Sequence, residues 1–388
     1  MPNNPRKGAK AYIESILNDN RSIGILLLFC SVLSLVISNL ANGREWIRFW
    51  HGEIHFLHQL YLPHSPIHLI NDGLMAIFFF VAGLEIRKEM AQGTLSSPQK
   101  AALPIVAAIG GMLVPALIYS FFNKGTEYIK GWAIPTATDI AFALGIASLV
   151  GRKLPSSLRS FLLALAVIDD LGAIVIIAFF YGGAVKPLAL LMTLIVIVLI
   201  VLLNRRTKKF GRSQIGLSVL LWYAILQSGI HPTIAGVIFA FLVPGDKVRT
   251  YEHALLKPVY FIIIPIFALA NTAIELAPNV VETAGSNVSI GIILGMLIGK
   301  PLGIFGATFL LVRNSKVELP LGISWSHIIG IGLLAGIGFT MSIFISSLAF
   351  SDYVALDVAK IAVLIGSFFS MAAGYFWLRA VRKEKIMV

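Results

Sequence analysis

Residues 132–145 read Trp-Ala-Ile-Pro-Thr-Ala-Thr-Asp-Ile-Ala-Phe-Ala-Leu-Gly. The stretch belongs to an apolar run of membrane-spanning length, yet its middle holds a proline, two threonines and an aspartate. Pro135 has no amide hydrogen and breaks the helical ladder. Thr136, Thr138 and Asp139 can satisfy the backbone groups so freed. Late in the chain, residues 334–344 read Leu-Ala-Gly-Ile-Gly-Phe-Thr-Met-Ser-Ile-Phe. There Gly336 and Gly338 supply backbone freedom, and Thr340 and Ser342 supply hydroxyls. Irregular backbone at membrane depth survives only where protein or a cavity surrounds it. Either break alone reads as a packing kink or as part of a site; two, in matching positions, argue for the site.

The matching positions emerge from the surrounding chain. Hydrophobic residues make up 57% of the 388 and charged residues only 13%, against about 25% charged in a soluble domain. So apolar a chain cannot cover itself with a water-compatible surface, and lipid must be part of its solvent. Its apolar runs predict about twelve spans: 22–41, 67–86, 101–122, 131–150, 157–181, 186–204, 213–228, 230–244, 256–275, 288–312, 326–349 and 356–380. Several approach the ~20 residues a helix needs to cross the hydrocarbon layer; the two around 213–244 are short. The breaks fall in the fourth and eleventh spans, an odd number of crossings apart. Spans 3–5 and 10–12 therefore run in opposite senses, the inverted-repeat layout in which half-helix ends meet at the midplane. The expected fold is all-α, a single membrane domain over 1–388, with two broken helices crossing at mid-membrane.

Charge distribution sets orientation. With the N-terminus placed in the cytoplasm, 24 of the 31 lysines and arginines lie in cytoplasmic segments. Six (Arg44, Arg48, Lys124, Lys130, Lys186, Lys360) lie opposite, and Lys300 lies inside a span. The excess on one side predicts cytoplasmic N- and C-termini and accounts for the net charge of +12 without a nucleic-acid partner. The first apolar run has no small-residue cleavage site after it and reads as a retained helix. Cys30 is the single cysteine, so no intrachain disulfide forms. The outer segment 42–66 carries Trp46, Trp50 and several histidines. It reads either as an interfacial loop or short hairpin supporting a homodimer, or as a connector with aromatic anchors at the headgroups.

Ionisable residues in hydrocarbon cost several kcal/mol and are functional candidates. They are Asp72, Asp139, Asp169, Asp170 and Lys300, with Glu85 and Glu89 at a cytoplasmic helix end and His231 near the outer side. Asp169 and Asp170 sit mid-span in Leu-Leu-Ala-Leu-Ala-Val-Ile-Asp-Asp-Leu-Gly-Ala-Ile-Val-Ile-Ile (162–177). Helix neighbours differ by about 100° in direction, so the two can flank one cavity without facing each other. Two carboxylates in one low-dielectric site cannot both ionise cheaply, and their titrations are coupled. A hard monovalent cation also seeks oxygen ligands. If protons and sodium or lithium occupy the same oxygens, each excludes the other, and an alternately exposed site exchanges them. Half-helix ends carry about half a unit charge: facing N-termini suit Asp139, facing C-termini suit Lys300. Lys300, in Ile-Gly-Lys-Pro-Leu-Gly (298–303), lies too deep to snorkel and is expected to pair with Asp169 or Asp170.

These residues resemble the NhaA family of bacterial sodium/proton antiporters, from about Ile23 to Arg379. The resemblance rests on Asn-Asp-Gly-Leu-Met-Ala-Ile-Phe-Phe (71–79), Gly-Leu-Glu-Ile-Arg-Lys-Glu (83–89), Thr138-Asp139, Ile-Asp-Asp-Leu-Gly (168–172), Ser-Gly-Ile-His (228–231), Gly-Lys-Pro (299–301) and Gly-Phe-Thr-Met-Ser (338–342). It implies a twelve-helix transporter of the bacterial inner membrane with no cofactor, in which Na+, Li+ and H+ are substrates and lipid is the surrounding partner. It implies activation at alkaline pH, and exchange of unequal charge is expected if two carboxylates release protons for one cation. Asp170 is then the main cation ligand, Asp169 contributes or pairs with Lys300, and Thr138 and Asp139 lie beside the site. The pH response falls to Glu85, Lys88, Glu89, Glu252 and His253, although solvated helix ends explain those charges equally. Asp72, His231, Gly338 and Thr340 occupy matching positions. After Glu252-His253 the chain reads Ala-Leu-Leu-Lys-Pro, where family members often carry another histidine.

Two rivals come from other classes. An intramembrane aspartyl protease also uses two membrane aspartates, but its second resembles Gly-x-Gly-Asp, and here the sequence is Ala-Val-Ile-Asp-Asp. A cation-coupled symporter of an organic substrate needs a polar or aromatic pocket, whereas the polar mid-span residues here are mostly small hydroxyls and carboxyls.

Overall fold

The computed structural model describes residues 20–151, 154–206, 210–276, 285–315 and 317–381. The basic tails, Arg152, Lys153, Lys208, Lys209 and Lys316 lie outside the described residues, and with them part of the charge count that orients the chain.

The described residues are helical, with no strand among them. Helix α1 is Asn20–Ser38. Two short helices follow, α2 (Gly43–His51) and α3 (His55–Gln59). Then come α4 (Pro66–Gln92) and α5 (Pro98–Phe122), the broken pair α6a (Glu127–Thr136) and α6b (Ile140–Val150), and α7 (Ser156–Phe180). Next are α8 (Pro187–Arg206), α9 (Arg212–Ser228) and α10 (Ile234–Leu242). The chain ends with α11 (Val248–Asn271) and α12 (Asn287–Asn314), the broken pair α13a (Trp325–Ala335) and α13b (Phe339–Ala349), and α14 (Tyr353–Ala380).

Eight of these helices are long and apolar enough to span, and the two bent pairs bring the number to ten. The pairs bend by 40° and 48°. Helices α9 and α10, at 17 and 9 residues, are the short runs expected around 213–244. The expectation of a loop or hairpin over 42–66 is corrected: α2 is a helix because Trp46, Phe49 and Trp50 recur at helical spacing. Their rings pack together, Trp46–Trp50 at 5.3 Å and Phe49–Trp50 at 4.9 Å between centroids, and the Trp46 indole donates to Ser34 Oγ at 2.9 Å.

Capping fixes several helix starts. Ser65 accepts the His68 amide ahead of Pro66, and Asp352 accepts the Ala355 amide at 3.0 Å, each satisfying an otherwise orphaned donor. The first helices of the two repeats, α5 and α12, meet backbone to backbone. A Cβ on Gly110 would lie 2.3 Å from the Gly303 carbonyl oxygen, and one on Gly303 2.1 Å from that of Gly110. Such small-residue contacts let membrane helices gain packing energy where hydrophobic driving force is lacking.

Three helices carry a π-turn: Ile70–Leu74 in α4, Val259–Ile263 in α11 and Gly295–Gly299 in α12. A π-turn inserts a residue into the ladder and re-aims the side chains beyond it. Asp72 and Tyr260 lie within such turns, and Lys300 directly follows the third.

Candidate functional site

The broken helices cross with like ends facing. Asp139 caps α6b, its Oδ1 accepting the Phe142 amide at 3.2 Å. Its Oδ2 accepts the Thr340 amide at 3.1 Å and the Thr340 hydroxyl at 2.5 Å, in the first turn of α13b. One carboxylate therefore sits between two helix N-termini, where the dipoles favour negative charge. The Asp139 amide donates to the Ile337 carbonyl at 2.6 Å, and the Ser342 hydroxyl donates to that of Ile134 at 2.7 Å. A Cβ on Gly338 would lie 2.2 Å from Ser342 Oγ and 2.9 Å from the Ala137 carbonyl oxygen. The crossing closes only around a residue without a side chain.

The C-terminal ends are addressed differently. The Thr138 hydroxyl donates at 2.8 Å to the carbonyl of Ala335, the last residue of α13a. The same oxygen accepts from Lys300 Nζ at 2.8 Å. Lys300 is wholly buried, and its ammonium also donates to Asp169 Oδ2 at 2.6 Å. The lysine thus reaches one helix C-terminus through a threonine while ion-pairing with an aspartate. Asp169 is 1% exposed, and its Oδ1 has no hydrogen-bond partner among the described residues.

Asp170, one position further round α7, turns into a cavity instead. Phe78, Glu85, Thr138, Asp139, Tyr260 and Thr340 line that cavity with it. Its free space is about 20 Å³, room for a single water-sized particle. Asp170 draws no hydrogen bond from the described residues. Of the three clustered aspartates, one is spent on helix ends, one on a lysine, and one faces open space.

The cavity walls lead toward the basic side along α4 and α11. Lys88 Nζ donates to Glu252 Oε1 at 2.7 Å, and Glu89 accepts from the Thr94 amide and hydroxyl, each at 3.0 Å. Glu85 lies between this network and Asp170, lining the cavity. His253 is exposed, and no ion pair joins it to the cluster among the described residues. Toward the other side, the Phe344 ring packs against Phe79 at 5.6 Å, Phe267 at 6.4 Å and His231 at 5.3 Å. His231 Nε2 lies 3.6 Å from Asp72 Oδ1, and His231 Nδ1 bonds Thr233 Oγ1 at 2.8 Å. No three His, Cys, Asp or Glu side chains among the described residues converge as a resident metal site.

Two residues escaped sequence reasoning. Lys360, placed with the outer-side charges, is inside α14 and 1% exposed; it lies about one turn past the start of its apolar run, and its position there was the available signal. Tyr260 carries no charge, so a search for ionisable groups at depth passes over it. Its signal was a tyrosine two residues past a proline, in Lys-Pro-Val-Tyr-Phe (257–261).

A family model described as Na+/H+ antiporter 1 matches residues 14–378. A Flavobacterium psychrophilum protein named Na+/H+ antiporter NhaA is 46% identical over 385 residues, 97% of each chain. Proteins of the same name from a Sulfurovum species and Shewanella sediminis are 42% and 44% identical. They are matched over 96% of this chain and 99% and 96% of their own.

Proposed function

We infer how this site works from one premise: the chain belongs to the Na+/H+ antiporter 1 family and is a sodium/proton antiporter. It is a transporter rather than an enzyme, and Na+ and H+ are its substrates.

Asp170 is the group at which cation and proton exclude each other. The observation carrying this reading is that it alone of the three clustered aspartates is buried, faces the cavity and has no hydrogen-bond partner among the described residues. Asp139 neutralises the two helix N-termini, and Thr138 and Thr340 hold the crossing beside it. Lys300 balances Asp169, so that the site's net charge is set by Asp170 and its occupant. Sodium or lithium enters from the cytoplasm past Glu85, displaces protons bound at the site, and leaves outward once the rings packed around Phe344 part. If two groups release protons for each cation, exchange is electrogenic. The ion pair Lys88–Glu252, with Glu85 and Glu89, controls entry and makes activity rise at alkaline pH. The chain lies in the bacterial inner membrane with cytoplasmic termini, and pairs with a second copy through α2 and α3.

The test uses everted vesicles holding a proton gradient. Added sodium should dissipate the gradient, and Asp170→Asn should be silent. Competition at one set of oxygens requires the apparent KM for sodium to rise on acidification, approaching about tenfold per competing proton for each unit once pH lies below the site's pKa. A KM indifferent to acidification, or exchange surviving Asp170→Asn, sinks the reading.

A further inference from the structure

The cavity beside Asp170 holds few oxygens free to meet a cation. Thr138 Oγ1 is committed to Ala335 and Lys300. Thr340 Oγ1 is committed to Asp139. Asp139 is committed to three donors. Besides Asp170, two polar lining residues, Glu85 and Tyr260, have no such commitment among the described residues, and only the tyrosine offers a neutral oxygen. Tyr260 lines the cavity and makes no hydrogen bond with the described residues.

The position is unusual in three ways. Tyr260 sits in the π-turn Val259–Ile263, a feature that re-aims side chains and recurs at functional sites. Three acids, Glu85, Asp139 and Asp170, line the same cavity. A packing aromatic gains nothing from that company, whereas a neutral oxygen there completes the environment a small cation needs. Finally, Tyr260 belongs to α11, outside the two inverted repeats, while Asp170, Thr138 and Thr340 belong to α7, α6 and α13 within them.

We propose that Tyr260 is a further ligand of the transported cation, its phenolic oxygen meeting Na+ or Li+ at Asp170 while the site is open to the cytoplasm. Hard cations require several oxygens, and a single carboxylate supplies two. Tyr260 adds a third without adding charge, so it strengthens cation binding without a second titrating acid at the same point. Because alternating access moves one set of helices against the other, a ligand contributed from α11 is shed as the site turns outward. Tyr260 therefore tightens binding on the cytoplasmic face alone and weakens it at release.

This inference rests on Asp170 as the exchange group, and its test separates the two ideas. Tyr260→Phe in the full chain keeps the ring and removes only the oxygen. In everted vesicles, which present the cytoplasmic face, the apparent KM for sodium should rise about tenfold with the saturated rate unchanged. In right-side-out vesicles, the KM should stay within about twofold of wild type. An unchanged KM on the cytoplasmic face, or equal rises on both faces, overturns the proposal. Asp170→Asn is run alongside: if it is silent while Tyr260→Phe behaves as wild type, only the tyrosine ligand falls. If Asp170→Asn still exchanges, both ideas fall. Should Tyr260→Phe not reach the membrane, 3-fluorotyrosine placed at 260 in the otherwise native chain gives a fluorine NMR signal. Its displacement by sodium, saturating near the transport KM, supports the ligand; an immobile signal overturns it.

Discussion

Replacing Lys300 by methionine tests the buried charge pair on which the site's electrostatics rest. Lys300 is wholly buried and Asp169 is 1% exposed, with 2.6 Å between Nζ and Oδ2. The Asp169 Oδ1 already lacks a partner among the described residues, so loss of the ammonium strips the carboxylate of its remaining side-chain donor. Breaking one side of a buried ion pair costs about 3–5 kcal/mol, because the surviving charge is left uncompensated. Removing both charges costs far less, since neither must then be held in low dielectric. The double variant Asp169→Asn with Lys300→Met should therefore recover most of the stability that Lys300→Met loses. The coupling energy should be about 2–3 kcal/mol. Unfolding by sodium dodecyl sulfate in mixed micelles, followed by fluorescence of the six tryptophans, measures all four members of the cycle. A double variant as unstable as the two single losses combined would refute the argument, as would a Lys300→Met chain within about 1 kcal/mol of wild type.

Other consequences are equally direct. Gly338→Ala should destabilise by about 1–3 kcal/mol through overpacking. Ser342→Ala should restore only part of this, since the Ala137 carbonyl also lies 2.9 Å from the new methyl; unfolding titrations of both chains decide it. In the Lys88–Glu252 cluster, substituting Glu252 and His253 together should move the activity-versus-pH profile. Because Glu252 pairs with Lys88 and His253 is exposed, Glu252→Gln alone should reproduce the shift and His253→Ala should not; a profile left unmoved by the double substitution discards the assignment. At the end of α2, burial pushes the His51 imidazole down to about 4, helped by the neighbouring charges of Lys360 and His68. Its ordinary value is about 6.5, so as pH falls the unfolded chain takes up this proton first. The contribution is full above 6.5 and is lost as pH drops toward 4. His51→Phe should flatten stability over that window, and an unaltered slope would show that another group sets it.

The rough limits of the ten spans long and apolar enough to cross were legible because the bilayer imposes one length on every crossing and one composition on every lipid-facing surface. The breaks at Pro135 and around Gly336–Gly338 were legible because helix interruption is a local property. The adjacency of Asp169 and Asp170 likewise guaranteed that they point in different directions, about 100° apart. Composition could not tell that α2 is a helix where a hairpin was open, although its aromatic spacing carried the signal. The buried position of Lys360 was hidden because a lysine near the start of an apolar run looks like an interfacial charge.

By itself the sequence determined a polytopic helical membrane protein with two broken spans in antiparallel repeats and a small set of acids at depth, since hydropathy, helix periodicity and charge bias act along the chain. Only the tertiary structure decided how those acids divide their work. Asp139 between helix ends, Asp169 on Lys300 and Asp170 facing a cavity beside Tyr260 are contacts between residues far apart in the chain. Burial makes each of them strong, and no local pattern can say which donor will arrive next to which acceptor.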